Sequence, residues 1–496
     1  MYLSRYLGID LGTSGIKVIV LGQNGKVLDS AAAELIVSRP LPLWSEQNPE
    51  HWWQGLQQCL DQLSQRQSLQ GLLAIGLAGQ MHGATLLDAA NQVIRPAILW
   101  NDGRSFLQCQ QLTDAVPELP EITGNLAMSG FTAPKLLWLQ QQEPASFARV
   151  AKVLLPKDYL RFCLSGDFAS DLSDSAGTLW LDVAKRDWSD KMLAACGLSR
   201  AQMPKLYEGN QITGVLLPEL ASRWGLPSQL PIIAGGGDNA AGAVGAGIVQ
   251  PGQAMLSLGT SGVYFAVSDG FKANPQSAVH SFCHALPGTW HLMAVTLSAA
   301  SCLQWYAESL AHQSVADLLA ELEKASAENS IDVANAPLFL PYLSGERTPH
   351  NNPNAQGVWF GLTHDSNRPT LTYSVLEGVS FALAQGAEAL HASGLLPTEI
   401  NLIGGGARSP YWRQLLADVL NLTLTFREGG EVGPALGAAR LARLAIEPQT
   451  PLLDICPPPP VVSQHQPDPQ RHAMLATRYQ RFKTLYLTLE PHFPAA

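Results

Sequence analysis

The chain lacks several features that would reveal its role at once. Positive charge is not in excess: 31 Lys and Arg stand against 41 Asp and Glu, a net −10 at pH 7. No global field therefore draws in nucleic acid or an anionic membrane surface. An anionic ligand must be held by local devices such as backbone amides, helix N-termini or a metal ion. No GxxxxGK[ST] stretch occurs, which excludes a P-loop nucleotide site. Cysteine is sparse and unpatterned, with seven residues and no CxxC pair. That fits reduced thiols in a cytoplasmic protein better than a disulfide framework or a zinc site. No apolar run reaches membrane-spanning length, and the N-terminus enters a strand-like segment without a signal core. The expectation is a soluble, cytoplasmic chain with no nucleic-acid or membrane partner.

What is present is glycine, 43 residues of it, in a chain of 496 that is too long for one core. One glycine turn occurs twice. Leu11-Gly12-Thr13-Ser14-Gly15 returns half a chain later as Leu258-Gly259-Thr260-Ser261-Gly262. Each copy follows an apolar strand (6–9 and 254–256) and precedes another (16–21 and 263–267). Both read as strand, tight turn, strand, and the repeat predicts two similar α/β domains. The boundary falls near 247–252, where Pro251-Gly252 breaks a helix of small residues. Asn24-Gly25 predicts a hairpin, Asn48-Pro49 a capped helix start, and 72–78 and 96–100 buried strands. Near the C-terminus, Leu475, Tyr479, Phe482, Tyr486 and Leu489 form an amphipathic stripe. It suits docking on the body, with a homodimer contact as its other use.

Chemistry is expected where acids meet glycine turns. Asp10 ends a strand immediately before Leu-Gly-Thr, a position suited to holding Mg²⁺ while the turn faces phosphate oxygens. An aspartic protease would need the acid in both copies, and the second has Ser257 there. Gly235-Gly236-Gly237-Asp238-Asn239 joins a strand to a helix of small residues, and Asp238 could accept a proton from an attacking hydroxyl or simply cap the helix. Gly404-Gly405-Gly406-Ala407-Arg408-Ser409 resembles a nucleotide loop but lacks the third glycine of a dinucleotide fingerprint. Gly79-Gln80-Met81-His82-Gly83 and Trp100-Asn101-Asp102-Gly103-Arg104 are polar clusters at strand ends, where α/β proteins place ligand contacts. His280, Cys283 and His284 do not complete a zinc set. Asp167, Asp171 and Asp174 miss calcium-loop spacing and read as turn and cap residues.

Taken together, these segments resemble the FGGY carbohydrate kinases over nearly the whole chain. Phe131-Thr132-Ala133-Pro134-Lys135-Leu136-Leu137-Trp138, Gly345-Glu346-Arg347-Thr348-Pro349 and Gly357-Val358-Trp359-Phe360-Gly361-Leu362 carry the likeness too. Thr370 departs from it at a position expected to be structural. The resemblance implies two ribonuclease H-like (actin-like ATPase) domains, 1–247 and 248–496, closing over a deep cleft. It implies that the first holds the sugar and the second holds ATP and carries the C-terminal helix. It makes Asp238 the general base and Asp10 the acid that serves Mg²⁺ and the phosphates. Gly12, Thr13, Gly259 and Thr260 would grip the phosphate chain, and Gly405 and Gly406 would lie against the adenosine. Met81 and His82 match a sugar-contact loop of the pentulose-phosphorylating members, and Asn239 and Asp102 would be further sugar contacts. The implied reaction is ATP-dependent phosphorylation of D-xylulose at its 5-hydroxyl. The alternatives are another pentulose or polyol, or an actin- or chaperone-like ATPase.

Overall fold

The computed structural model describes residues 4–428 and 433–494. Two mixed sheets organise it. The first contains β1 (Arg5–Leu11), β2 (Gly15–Gly22), β3 (Val27–Glu34), β4 (Leu72–Gly79), β5 (Ile212–Val215) and β6 (Pro231–Ile233), in the order β5-β6-β4-β1-β2-β3. The second contains β7 (Gln253–Leu258), β8 (Gly262–Ser268), β9 (His280–Cys283), β10 (Trp290–Thr296), β11 (Glu399–Ile403), β12 (Leu424–Arg427) and β13 (Val461–His465), in the order β9-β10-β8-β7-β11-β12-β13.

The sequence repeat extends to this wiring. β1 pairs antiparallel with β2 and parallel with β4, as β7 does with β8 and β11. The row β6-β4-β1-β2-β3 thus has its counterpart in β12-β11-β7-β8-β10. In both copies the glycine pentapeptide turns the central hairpin. Asn24-Gly25 makes the next turn of the first sheet, with Gly25 at φ +76°. The strand expected over 96–100 is only Ala97–Ile98, a two-residue ladder on Glu46–Gln47. Pro96 supplies no backbone donor, and beyond Ile98 the chain turns into a buried ion-paired loop.

Helices cover both sheets. Asn48 caps α1 (Pro49–Gln65) by accepting from Glu50 N–H at 3.1 Å. The helix of small residues is α2 (Asp238–Gly245). In the second half, α3 (Ala300–Tyr306) starts beside the second pentapeptide, α4 (Arg368–His391) runs through the core, and α5 (Pro410–Leu420) follows β11. Thr370 lies in the first turn of α4, where Asn367 Oδ1 accepts from its N–H and hydroxyl.

One helix of the second half, α6 (Pro434–Ile446), packs on the first sheet. A methyl group added to Gly8 or Gly76 would sit 1.9 Å from the Ala435 or Ala438 carbonyl oxygen, and one on Gly437 would sit 1.7 Å from the Ala241 oxygen. Only glycine permits these approaches, and they lock α2, α6, β1 and β4 together beneath the cleft. The C-terminal stripe lies on α7 (Pro469–Leu489), which docks on the second domain through buried Leu475, Phe482 and Tyr486. There Arg478 grips buried Glu377 with two bonds of 2.6 Å. The stripe is therefore spent within the chain. Among the described residues no helix is long and apolar enough to cross a membrane.

Candidate active site

The register of the first sheet brings its two acids together. Asp10 on β1 lies opposite Ala78 on β4, and Ala78 in turn pairs with Gly236. Helix α2 opens two residues later, so Asp238 stands beside Asp10 at the base of the cleft. Burial and the neighbouring Asp238 charge push the Asp10 carboxyl up to about 7. Its Oδ1 is buried without a hydrogen-bond partner. Burial raises Asp238 to about 6, while Asn239 pulls it back by donating N–H (2.7 Å) and Nδ2 (3.0 Å) to Oδ1. A carboxylate tuned to this range is suited to general-base work near neutral pH.

A buried charge network fixes the loop that carries Asp238. Lys157 Nζ contacts Asp158, Asp171 and Asp174 at 2.6, 2.7 and 3.1 Å, all with side chains removed from solvent. Asp171 caps the short helix Leu172–Ala176, accepting from Ser173 N–H (2.7 Å) and from the Ser173 hydroxyl. The Ser173 Oγ then accepts from Gly237 N–H at 3.1 Å, one residue before the base. Arg161 holds the Ile233 and Ala234 carbonyls from the same network. Asp171 is thus a cap residue, as expected, whereas Asp174 is a buried ion-pair partner of Lys157.

Asp238 and Asn239 open into a cavity of about 200 Å³. Met81, His82 and Trp100 line it from the first domain. Ser261, Val263, His280, Phe282, Met293, Val295 and Arg347 line it from the second. The cavity is therefore lined from both sides of the boundary expected near 247–252. The contribution of the second domain is one face of its sheet, because Val263, Val295, Met293 and His280 occupy matching rows across β8, β10 and β9. His82 sits at φ +69° between its glycines, with Nδ1 2.6 Å from the Gly177 carbonyl oxygen. Burial, with the Lys135 charge, lowers His82 to about 3, so the imidazole is neutral. A neutral ring that donates through Nδ1 presents the Nε2 lone pair as an acceptor.

A larger cavity of about 1000 Å³ lies in the second domain. Gly259, Thr260, Gly405 and Gly406 all line it, with Ser301, Gln304, Trp305 and Arg408. The glycines of the nucleotide-like loop have separate jobs. Gly404 is at φ +92°, and a side chain there would strike the Leu258 backbone at 2.8 Å; a Cβ on Gly406 would meet the Leu258 side chain at 2.6 Å. Gly405 has open space where a side chain would be. A third cavity, about 140 Å³, runs from Asp238 along α2 to Ser257, the counterpart of Asp10.

Thr13 borders the site through hydrogen bonds, whereas the Gly12 N–H closes its own turn on the Gly15 carbonyl (2.9 Å). Thr13 Oγ1 donates to Gln80 (3.0 Å) and accepts from the Trp100 indole (2.9 Å), while Gln47 donates to the Thr13 carbonyl (2.7 Å). Asp102 does not reach the sugar-sized cavity. Its two oxygens accept from Arg104 N–H (3.0 Å), Arg104 Nε (2.9 Å), Arg104 Nη2 (2.7 Å) and Ser45 N–H (2.6 Å). A carboxylate has about four acceptor positions, and these are filled, so Asp102 braces its loop. His280 faces the cavity, whereas Cys283 contacts the Val183 carbonyl at 3.7 Å and His284 Nδ1 accepts from Leu286 N–H at 3.2 Å. Sequence reasoning did not single out His280 or Arg347 as lining residues, although Arg347 lies in the Gly345–Pro349 segment, and Trp100 does line the cavity from the strand-end cluster in which ligand contacts were expected.

A small cavity with a carboxylate of raised pKa, beside a larger glycine-lined cavity, is the layout of a phosphotransferase acting on an alcohol. The chain belongs to the FGGY family of carbohydrate kinases: models of that family's N-terminal and C-terminal domains match residues 5–245 and 254–446. It is 59% identical to the xylulose kinase of Escherichia coli (strain K12), over 98% of this chain and 99% of that one. It is 38% identical to the xylulose kinase of Bacillus subtilis (strain 168), covering 88% and 87% of the two chains. In three dimensions it is similar to a xyloylose kinase from Brucella ovis, with TM-score 0.93 and 45% identity over 98% of this chain and 99% of that one. It is also similar to the xylulose kinase from Rhodospirillum rubrum, with TM-score 0.92 and 28% identity over 99% of each.

Proposed function

We propose that this chain transfers the γ-phosphoryl group of ATP to the 5-hydroxyl of D-xylulose, giving D-xylulose 5-phosphate and ADP. The observation that carries this reading is Asp238: a carboxylate raised to about 6 that faces a sugar-sized cavity whose wall includes Ser261 of the second phosphate turn. In the mechanism, Asp238 accepts a hydrogen bond from the 5-hydroxyl, aims its oxygen at the γ-phosphorus and takes its proton as the bond to phosphorus forms. Asn239 holds the carboxylate in place. Met81, His82 and Asn239 position the sugar. Gly12, Thr13, Gly259 and Thr260 hold the phosphates between the two turns, with the nucleoside against Gly405 and Gly406. The transition state of such a transfer is loose, so positioning supplies most of the rate.

Mg²⁺ fits the acid pair. Asp10 offers a buried, unpartnered carboxylate oxygen close to a second carboxylate, the hard oxygen donors that this ion prefers. Asp10 would hold it, and the ion would supply charge neutralisation on the phosphate oxygens. The seven cysteines are free thiols, which suits a cytoplasmic setting.

The pH dependence follows from the two acids. Asp238 works as the carboxylate, and Asp10 must lose its proton to hold a cation. As pH falls from about 7 to below 6 both become protonated, so kcat/KM should decline by up to about tenfold per pH unit between the two values and toward about a hundredfold per unit below both. The apparent values belong to the pair. A pH series of kcat/KM for sugar checks this, and a flat profile between pH 5 and 7 would contradict it. The substrate assignment is tested by ADP release with Mg·ATP over a panel of pentuloses and polyols. D-xylulose should have the highest kcat/KM; a clear preference for another sugar or a polyol would reassign the acceptor.

A further inference from the structure

The sugar-sized cavity holds one full positive charge that the mechanism above leaves unused. Arg347 sits in a segment tied to the second sheet. Glu346 Oε1 accepts from Leu297 N–H (2.9 Å) and Arg347 N–H (2.7 Å). Thr348 donates its N–H to the Val295 carbonyl (3.0 Å) and its hydroxyl to the Ala278 carbonyl (2.9 Å). The Arg347 backbone is therefore fixed, and its side chain runs along the sheet face toward His280.

The partner of the guanidinium is set from the opposite domain. Asn125 donates Nδ2 to the carbonyls of Thr123 (2.8 Å) and Ser281 (2.9 Å), which leaves Oδ1 as acceptor for His280 Nδ1 at 2.9 Å. With its proton on Nδ1, His280 turns an Nε2 lone pair to Arg347 Nη1 at 3.5 Å. That long contact is the one side-chain hydrogen bond of Arg347 among the described residues, and none of their carboxylates lies within 4.0 Å of it. The remaining N–H groups of this half-buried guanidinium face the cavity.

The location within the cavity follows from the strand order. Val263, which shares the third cavity with Asp238, is on β8, whereas His280 is two strands away on the edge strand β9. Arg347, bonded to His280, thus occupies the end remote from the base, where the imidazoles of His280 and His82 also line the wall. A hydroxyl placed there can donate to an imidazole. A carbonyl oxygen accepts only, and its complement is a guanidinium donor.

We propose that Arg347 is the second domain's substrate contact, donating to the carbonyl oxygen at the end of the sugar remote from the attacking hydroxyl, so that the site prefers a ketose to the corresponding polyol. This rests on the ketose-kinase reading above. It also gives the sugar a hold on both domains, which couples binding to cleft closure.

The test compares the full-length enzyme with Arg347→Met and Arg347→Lys, measuring KM for D-xylulose, KM for Mg·ATP and the inhibition constant of xylitol as competing polyol. A hydrogen bond from a charged donor corresponds to about tenfold to a hundredfold in affinity. Arg347→Met should raise the D-xylulose KM by about that factor, shift the Mg·ATP KM less than about twofold, and weaken xylitol much less. Arg347→Lys keeps the charge without the fork and should fall between. An unchanged D-xylulose KM, an equal rise in both substrate KM values, or an equal loss for D-xylulose and xylitol would overturn the contact. If the methionine variant does not fold, the lysine variant decides by the same ratios. Wild-type turnover in the same assay separates the two readings: an enzyme active on D-xylulose with unaltered variants sinks the contact alone. One inactive on every carbohydrate sinks the ketose-kinase reading and the contact with it.

Discussion

Asp238→Ala is expected to lose about 10²–10⁴-fold in kcat, the usual contribution of a general base, while ATP binding persists. Asp238 is the acid that reaches the sugar-sized cavity, and the nucleotide-sized cavity is built by residues of the second domain that do not touch it. The Lys157–Asp171–Ser173 network supports the loop through Gly237 rather than through the Asp238 side chain, so truncation should leave the loop in place. Steady-state kinetics with D-xylulose and calorimetric titration with ATP check both halves. Near-normal turnover would remove Asp238 from the role, and loss of ATP binding would mean that the cleft itself had collapsed.

Asp10→Asn should cost about 10²–10³-fold in kcat, the range for loss of one preorganised electrostatic group. It should also raise the Mg²⁺ concentration needed for half-maximal rate. Unchanged magnesium dependence would reject the assignment. The same substitution carries a stability signature of opposite sign. The folded Asp10 titrates near 7 against its ordinary 3.8. Between those values the folded chain holds a proton that the unfolded chain has released, so stability falls as pH rises through that window. Above about pH 7 the buried charge is fully destabilising. Asparagine removes it, and the variant's Tm at pH 8 should equal or exceed that of the parent. A residue kept for folding would show the reverse, a lower Tm.

Much of this site was legible in the sequence because backbone demands leave local marks. The pentapeptide repeat announced two copies of one hairpin, and the structure extends it to matching strand orders. The glycines at 235–237 and 404–406 marked strand-to-helix turns where chain must approach chain. Asp10 and Asp238 stood out because each adjoins such a turn. What was not legible depends on contacts distant in sequence. Asp102 looked like a ligand contact because it ends a strand, and nothing in its neighbourhood told that Arg104 and Ser45 would fill every acceptor position. The second domain's share of the sugar-sized cavity arises because β8, β9 and β10 turn one face to the first domain. His280 and Met293 alternate there as ordinary strand residues would. The crossing of α6 to the first sheet left only small residues as its trace, and Gly8, Gly76 and Gly437 acquire meaning once the helix is seen against them.

This machinery moves phosphate to a sugar rather than cycling ATP for its own sake. One measurement separates the two: ADP release from Mg·ATP with and without D-xylulose, with the phosphorylated product identified by NMR. The site predicts a rate that depends strongly on the sugar, with a slow sugar-free background, and phosphate on oxygen 5. Hydrolysis at the same rate in both conditions, yielding inorganic phosphate and no sugar phosphate, would contradict it.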